Sequence, residues 1–192
     1  MRRKTFDALL TSVGAMLTLT LIVAGALMMW GAVFTQNQVH NQLAAQKVFF
    51  PTAAAFTHAK AGTEITPGMK PYLLQYAGQQ VLTGAQAEAY ADHFIAVHLS
   101  EMPYHGVYSL VSSAARAATP GSAQATQMSA LETTSFQGTT LRSMLLEAYA
   151  FGTVGQIALV ASIVAFVLAA ITLFLTLMGY LHLRRTSPAV MI

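Results

Sequence analysis

The chain has 192 residues, 55% of them hydrophobic and only 9% charged, and it has no cysteine. A water-soluble domain carries about 25% charged residues, so this composition excludes an ordinary water-exposed surface; the missing cysteines exclude disulfides, thiolate metal sites and cysteine nucleophiles. The net charge of +3 sits at the ends, where Arg2, Arg3, Lys4, Arg184 and Arg185 make up half of the ten Lys and Arg, and with no basic patch between them nucleic-acid binding is excluded too.

Residues 1–7 form a short basic N-terminus. Residues 8–34 then run without a charge, enough for a helix of about 40 Å against roughly 30 Å of hydrocarbon. The spacing predicts a first transmembrane helix. Its apolar run exceeds the roughly 7–15 residues of a signal-peptide core, and Trp30 occupies a place where cleavage wants a small residue, so a retained anchor is expected. Gly14, Thr18, Ala24, Gly25, Gly31 and Ala32 give this span small surfaces for close helix approach. Trp30 and Phe34 are expected interfacial anchors.

Residues 35–147 hold a near-neutral mixture of charges. The first helix is expected to continue over residues 36–48 and to stop at Phe49-Phe50-Pro51, because the residue before proline disfavours the helical region. A breaker-rich loop with Gly62, Pro67, Gly68 and Pro71 follows, and then a short helix or extended segment over residues 72–80. The clearest helix of this region is residues 84–99. Thr83 and Gln86 have capping-box spacing, and Ala87, Tyr90, Ala91, Phe94 and Ile95 form one apolar face. Residues 107–118 read as another short helix, and residues 119–138 as a linker rich in Ser, Thr, Gln and Ala, with residues 124–131 able to be helical. A helix starting at Thr139 or Thr140 is expected to run into the second span.

Residues 148–183 are again free of charge, with 157–178 as the most apolar part. They predict a second transmembrane helix with an outer extension, flanked by Tyr149 and Phe151. Ala161, Ala165 and Ala169 recur every four residues as a smooth stripe. Such a stripe either packs on the first span or docks a partner protein. Residues 184–192 are a basic C-terminus. Basic flanks stay in the cytoplasm, so both ends are expected there and residues 35–147 outside. No repeat and little strand alternation are present. The expected fold is an all-α membrane protein with two transmembrane helices and a small extracytoplasmic helical domain between them.

Candidate chemistry is sparse. His93, His98, Glu101 and His105 are the residues able to ligate zinc or copper, although no HExxH signature accompanies them. The ordinary reading is surface or hydrogen-bonding histidines. Glu88 and Asp92 lie one turn apart, as paired carboxylates or as a solvated helix face. Ser109, Ser112 and Ser113 lie near His105 without a nucleophile motif. The aromatic residues of the middle region can build its core or line an apolar cleft.

Two stretches, residues 86–99 (QAEAYADHFIAVHL) and 136–149 (FQGTTLRSMLLEAY), together with the two-span layout, resemble a family of uncharacterised membrane proteins of high-GC Gram-positive bacteria. Some members carry a ring-opening dioxygenase label, but no non-haem iron site is visible here. The resemblance implies topology and no activity. The sequence therefore points to a non-enzymatic, cofactor-free accessory or scaffold protein of the cell membrane. Its expected partners are the bilayer and a membrane protein or a second copy. The alternative is an outer module that binds a metal or an apolar ligand.

Overall fold

The computed structural model describes residues 3–185. Arg2 of the N-terminal basic cluster and residues 186–192 of the C-terminal segment lie outside the described residues. Every regular element described is helical. In order these are α1 (Arg3–Gln46), α2 (Ala53–Thr57), α3 (Lys70–Leu73), α4 (Gly84–Tyr90), α5 (Ala96–Glu101), α6 (Tyr108–Ala117) and α7 (Ala123–Arg185). Short 3-10 turns flank α3 and precede α6, and a π turn, Ala91–Ile95, joins α4 to α5. Among the described residues the only β pairing is an isolated bridge between Phe49 and Gln80. Two helices, α1 and α7, are long and apolar enough to cross a membrane.

The chain divides into two compact units. The first comprises residues 1–35 and 154–192, and the second residues 36–153. The second unit has a conventional apolar core. Val39 and Leu43 of α1, Phe50, Phe56, Ile65, Met69, Leu73, Val81, Ala87 and Ala91 gather with Leu145 of α7. Met69, Leu73 and Val81 are wholly enclosed. Each such side chain contributes roughly 1.5–3 kcal/mol by leaving water.

Local chemistry explains the breaks between these helices. α1 stops at Gln46, and Lys47 turns left-handed at φ 53°. Gln80 donates its side-chain amide to the carbonyl of Ala44 at 2.8 Å, satisfying one of the acceptors that a helix end leaves open. The backbone then pairs with residues 78–81: Val81 N–H to Val48 C=O at 2.9 Å and Phe50 N–H to Gln79 C=O at 2.9 Å. The α4 capping box forms as its spacing predicts, with Thr83 Oγ1 accepting from Gln86 N–H and the Gln86 side chain accepting from Thr83 N–H.

The linker expected over residues 119–138 is instead the first part of α7, which begins at Ala123. Ser122 caps it, accepting from the N–H of Ala125 at 3.1 Å. No proline follows Pro120 before the helix ends, and Ala, Gln, Met, Leu and Glu are good helix formers. Gly138 interrupts nothing because it lies against Leu99, where a Cβ would come within 2.7 Å of Leu99 Cδ2.

Candidate functional site

In the first unit the small residues face one another. Along α1 Thr18, Gly25 and Ala32 are buried, with Thr11, Gly14, Leu21 and Met28 half-buried between them. Along α7 Gly155, Ser162, Ala165 and Ala169 are buried, with Ala158, Thr172, Thr176 and Gly179 half-buried in the same series. Both series step by three and four residues in turn, the seven-residue repeat of a left-handed helix pair. The pairing is antiparallel. Thr18 Oγ1 donates to Thr172 Oγ1 at 2.9 Å. A Cβ on Gly14 would come within 2.5 Å of Thr176 Oγ1, and one on Gly25 within 3.1 Å of the Phe166 ring. The two helix surfaces therefore touch only because these positions lack side chains.

Of the small residues singled out in the sequence, Gly14, Thr18, Gly25, Ala32, Ala165 and Ala169 lie in this seam. Ala161 is half-buried beside it, and Ser162, fully buried, takes the seam position. A strict four-residue step drifts around the helix, whereas a three–four alternation does not. That alternation was the missed signal, and it would have found Thr11, Ser162, Thr172, Thr176 and Gly179. The Thr18–Thr172 bond is the specific polar tie of the seam. Thr172→Val is expected to cost the pair about 1 kcal/mol, read as an earlier melting midpoint in detergent.

In the second unit the candidate ligands are dispersed over other contacts. His93 stacks flat on Tyr72, ring centroids 3.5 Å apart and planes 4° apart. The His98 Nδ1–H reaches the Phe94 carbonyl at 2.7 Å, and its ring packs 4.5 Å from that of Phe94. His105 Nδ1 lies 3.2 Å from the Ser100 carbonyl, and Glu101 is exposed. Among the described residues no three His, Asp or Glu side chains come together as a metal site. His98 instead ends a chain of aromatic contacts running Tyr76–Phe50–Tyr90–Phe94–His98. Burial pushes the Tyr90 hydroxyl above the usual phenol range, and the nearby Glu64 carboxylate pushes it further the same way.

Asp92 does not pair with Glu88 for acid–base work. It accepts from Arg142 at 2.7 Å, both side chains partly exposed, so the pair contributes only about 0.2–1 kcal/mol. The π turn that carries Asp92 and His93 places one beside α7 and the other on Tyr72. Such turns recur at functional sites, but here each of the two polar side chains it presents is already engaged. Ser112 and Ser113 accept from Arg116, and Ser113 donates to the Ser109 carbonyl. Compared with protein-family models, curated proteins and solved structures, the chain matches none.

Proposed function

We propose that this is a small accessory or scaffold protein of the cell membrane. In this reading α1 and α7 cross the bilayer as a hairpin with both chain ends in the cytoplasm. Residues 35–147 face outward and engage a membrane protein or a second copy of the chain. The activity is binding rather than catalysis.

One observation carries the reading: the first unit has its polarity reversed. Its buried seam holds Thr18, 5% exposed, and Ser162, 0% exposed, while Leu19, Trp30, Ile157 and Phe174 are all more than 60% exposed. A helix pair in water buries its large apolar residues and exposes hydroxyls. The inverse arrangement fits lipid, where association relies on small residues and interhelical hydrogen bonds. In the most apolar stretch of each helix only 17% is buried, unlike the core helix of a soluble protein. Arg3 and Lys4 lie at the same end of the antiparallel pair as Arg184 and Arg185, and basic flanks favour the cytoplasm. Trp30 and Phe34, stacked at 5.6 Å, lie toward the other end, where aromatic belts form.

The chain lacks cysteine, which makes the test clean. A cysteine placed at the exposed Gln137 should react with a membrane-impermeant maleimide in intact cells. Cysteines placed at Thr5 and at the C-terminus should react only after lysis. Purification in mild detergent after cross-linking should yield a species heavier than the 20.5 kDa chain. Termini labelled from outside would overturn the topology, and a strictly monomeric, partner-free species would overturn the scaffold role.

A further inference from the structure

In the second unit α7 carries an apolar stripe that the chain's own core leaves uncovered. The inward face of the helix holds Leu145, a core residue, and Tyr149 and Gly152, where Gly84 packs so closely that a Cβ on it would come within 3.1 Å of the Tyr149 Cα. One residue before each of these stand Met144, Ala148 and Phe151, with Leu141 a turn earlier. Leu141 is 54% exposed, Met144 61% and Phe151 54%, and Ala148 is half-buried. The four step by three, four and three residues, the apolar positions of a heptad. At about 100° per residue they fall within about 80° of one another on the helix surface. Along α7 the same alternation continues through Gly155 and Ala158 into the residues that α1 covers in the first unit. None of the four is charged, and the nearby Arg142 is engaged by Asp92. Thr140 and Glu147 border the stripe as a polar rim.

We infer that this stripe pairs with the same stripe of a second copy, as a parallel two-fold coiled coil of α7 outside the membrane. The inference rests on the two-span placement proposed above and selects the second copy among the partners named there. The heptad spacing calls for a helix as the occupant, because only a helix wound on a helix needs that period. The area calls for a copy in the same membrane. Stripe and rim offer about 400–500 Å² per copy, roughly half of the 800 Å² per partner that a complex formed in free solution uses. Confinement to one bilayer raises the effective concentration and makes up the difference. Two spans also hold every copy in one orientation and at one level. Leu141 therefore meets Leu141 and Met144 meets Met144 across the axis, an isologous contact. The small Ala148 layer leaves room for the two Phe151 rings beside it.

Because the chain has no cysteine, the pairing can be read position by position. Leu141→Cys, Met144→Cys, Thr139→Cys and Ser143→Cys are made singly in the full-length protein, and isolated membranes are oxidised with copper–phenanthroline. Thr139 and Ser143 are exposed too, but lie about 120–160° around the helix from the middle of the stripe. The expected result is a disulfide-linked species of twice the 20.5 kDa chain mass at positions 141 and 144, where facing residues of a parallel pair come within disulfide reach, and little at 139 and 143. Adding Met144→Glu to the Leu141→Cys chain sets like charges face to face and should cut the linked fraction about tenfold. Helicity should not change, since Met144 is exposed. Equal linkage at all four positions, none at 141 and 144, linkage there to a different protein, or linkage undiminished by Met144→Glu each overturns the self-pairing. In any of these cases a Thr5→Cys chain that labels only after lysis leaves the two-span reading intact, whereas labelling of Thr5→Cys in intact cells overturns both.

Discussion

Replacing Gly106 with valine is expected to lower the melting midpoint of the second unit by about 10–25 °C, followed by circular dichroism in detergent. Tyr104, His105 and Gly106 are three successive left-handed residues, at φ 58°, 53° and 63°. This turn carries the chain from α5 to α6. An ordinary L-residue in that region costs about 1–2 kcal/mol, and a β-branched one more. Space forbids the side chain as well: a Cβ would come within 2.6 Å of the Leu99 carbonyl oxygen, which belongs to helix backbone and cannot move aside. Overpacking of this kind adds roughly 1–3 kcal/mol. The displaced turn would also lose the bond from buried Ser135 Oγ to the Gly106 carbonyl at 2.6 Å. The total, about 3–5 kcal/mol, is a large share of a domain's stability. Gly138→Ala is the control. Its Cβ meets the same residue, but at Leu99 Cδ2, the far end of a side chain that can change rotamer, so its cost should stay below about 1 kcal/mol. Two variants with equal midpoints would show that the left-handed turn and the Leu99 carbonyl do not govern this unit.

Replacing Val167 with lysine is expected to cost about 3 kcal/mol of membrane insertion. Val167 is 54% exposed, near the middle of the most apolar part of α7. In water, lysine at such a position would be harmless and would improve solubility. In hydrocarbon it must be dehydrated or drag water inward. The measurement is the fraction of chains retained in carbonate-washed membranes, together with the accessibility of the C-terminal cysteine. Retention should fall several-fold, and misinserted chains should expose that cysteine. Phe136→Lys supplies the comparison: Phe136 is 56% exposed but lies in the second unit. Its cost should stay near that of one lost ring contact with Tyr108, about 0.5–1 kcal/mol. The two positions are equally exposed, so a difference between them reports the solvent. A Val167→Lys chain that stays fully functional and turns soluble would remove the basis for the two-span reading.

Much of the helix inventory was legible in the residues. Thr83 and Gln86 announced the start of α4 because a capping box is a local exchange of hydrogen bonds. The two charge-free runs announced α1 and α7 because length and apolarity are additive properties. The start of α7 was misplaced because the Ser and Thr of residues 119–138 are weaker helix formers than the Ala and Gln among them. Over residues 123–138 the decision belongs to the local cap at Ser122 and to two contacts with distant chain, Ser135 on Gly106 and Gly138 under Leu99. The histidines show the same limit. Their spacing admits a metal site, and only three dimensions show His93 on Tyr72 and His98 on the Phe94 carbonyl.

By itself the sequence determined an all-helical chain with two long apolar helices, small residues along both and basic ends, because hydropathy and propensity act residue by residue. The tertiary structure alone decided which small residues meet. Thr18 finds Thr172, and Gly25 makes room for Phe166, a register fixed by the fit of two surfaces far apart in the chain. It alone set Asp7 within 3.9 Å of His182, since no local rule relates residues at opposite ends of the sequence.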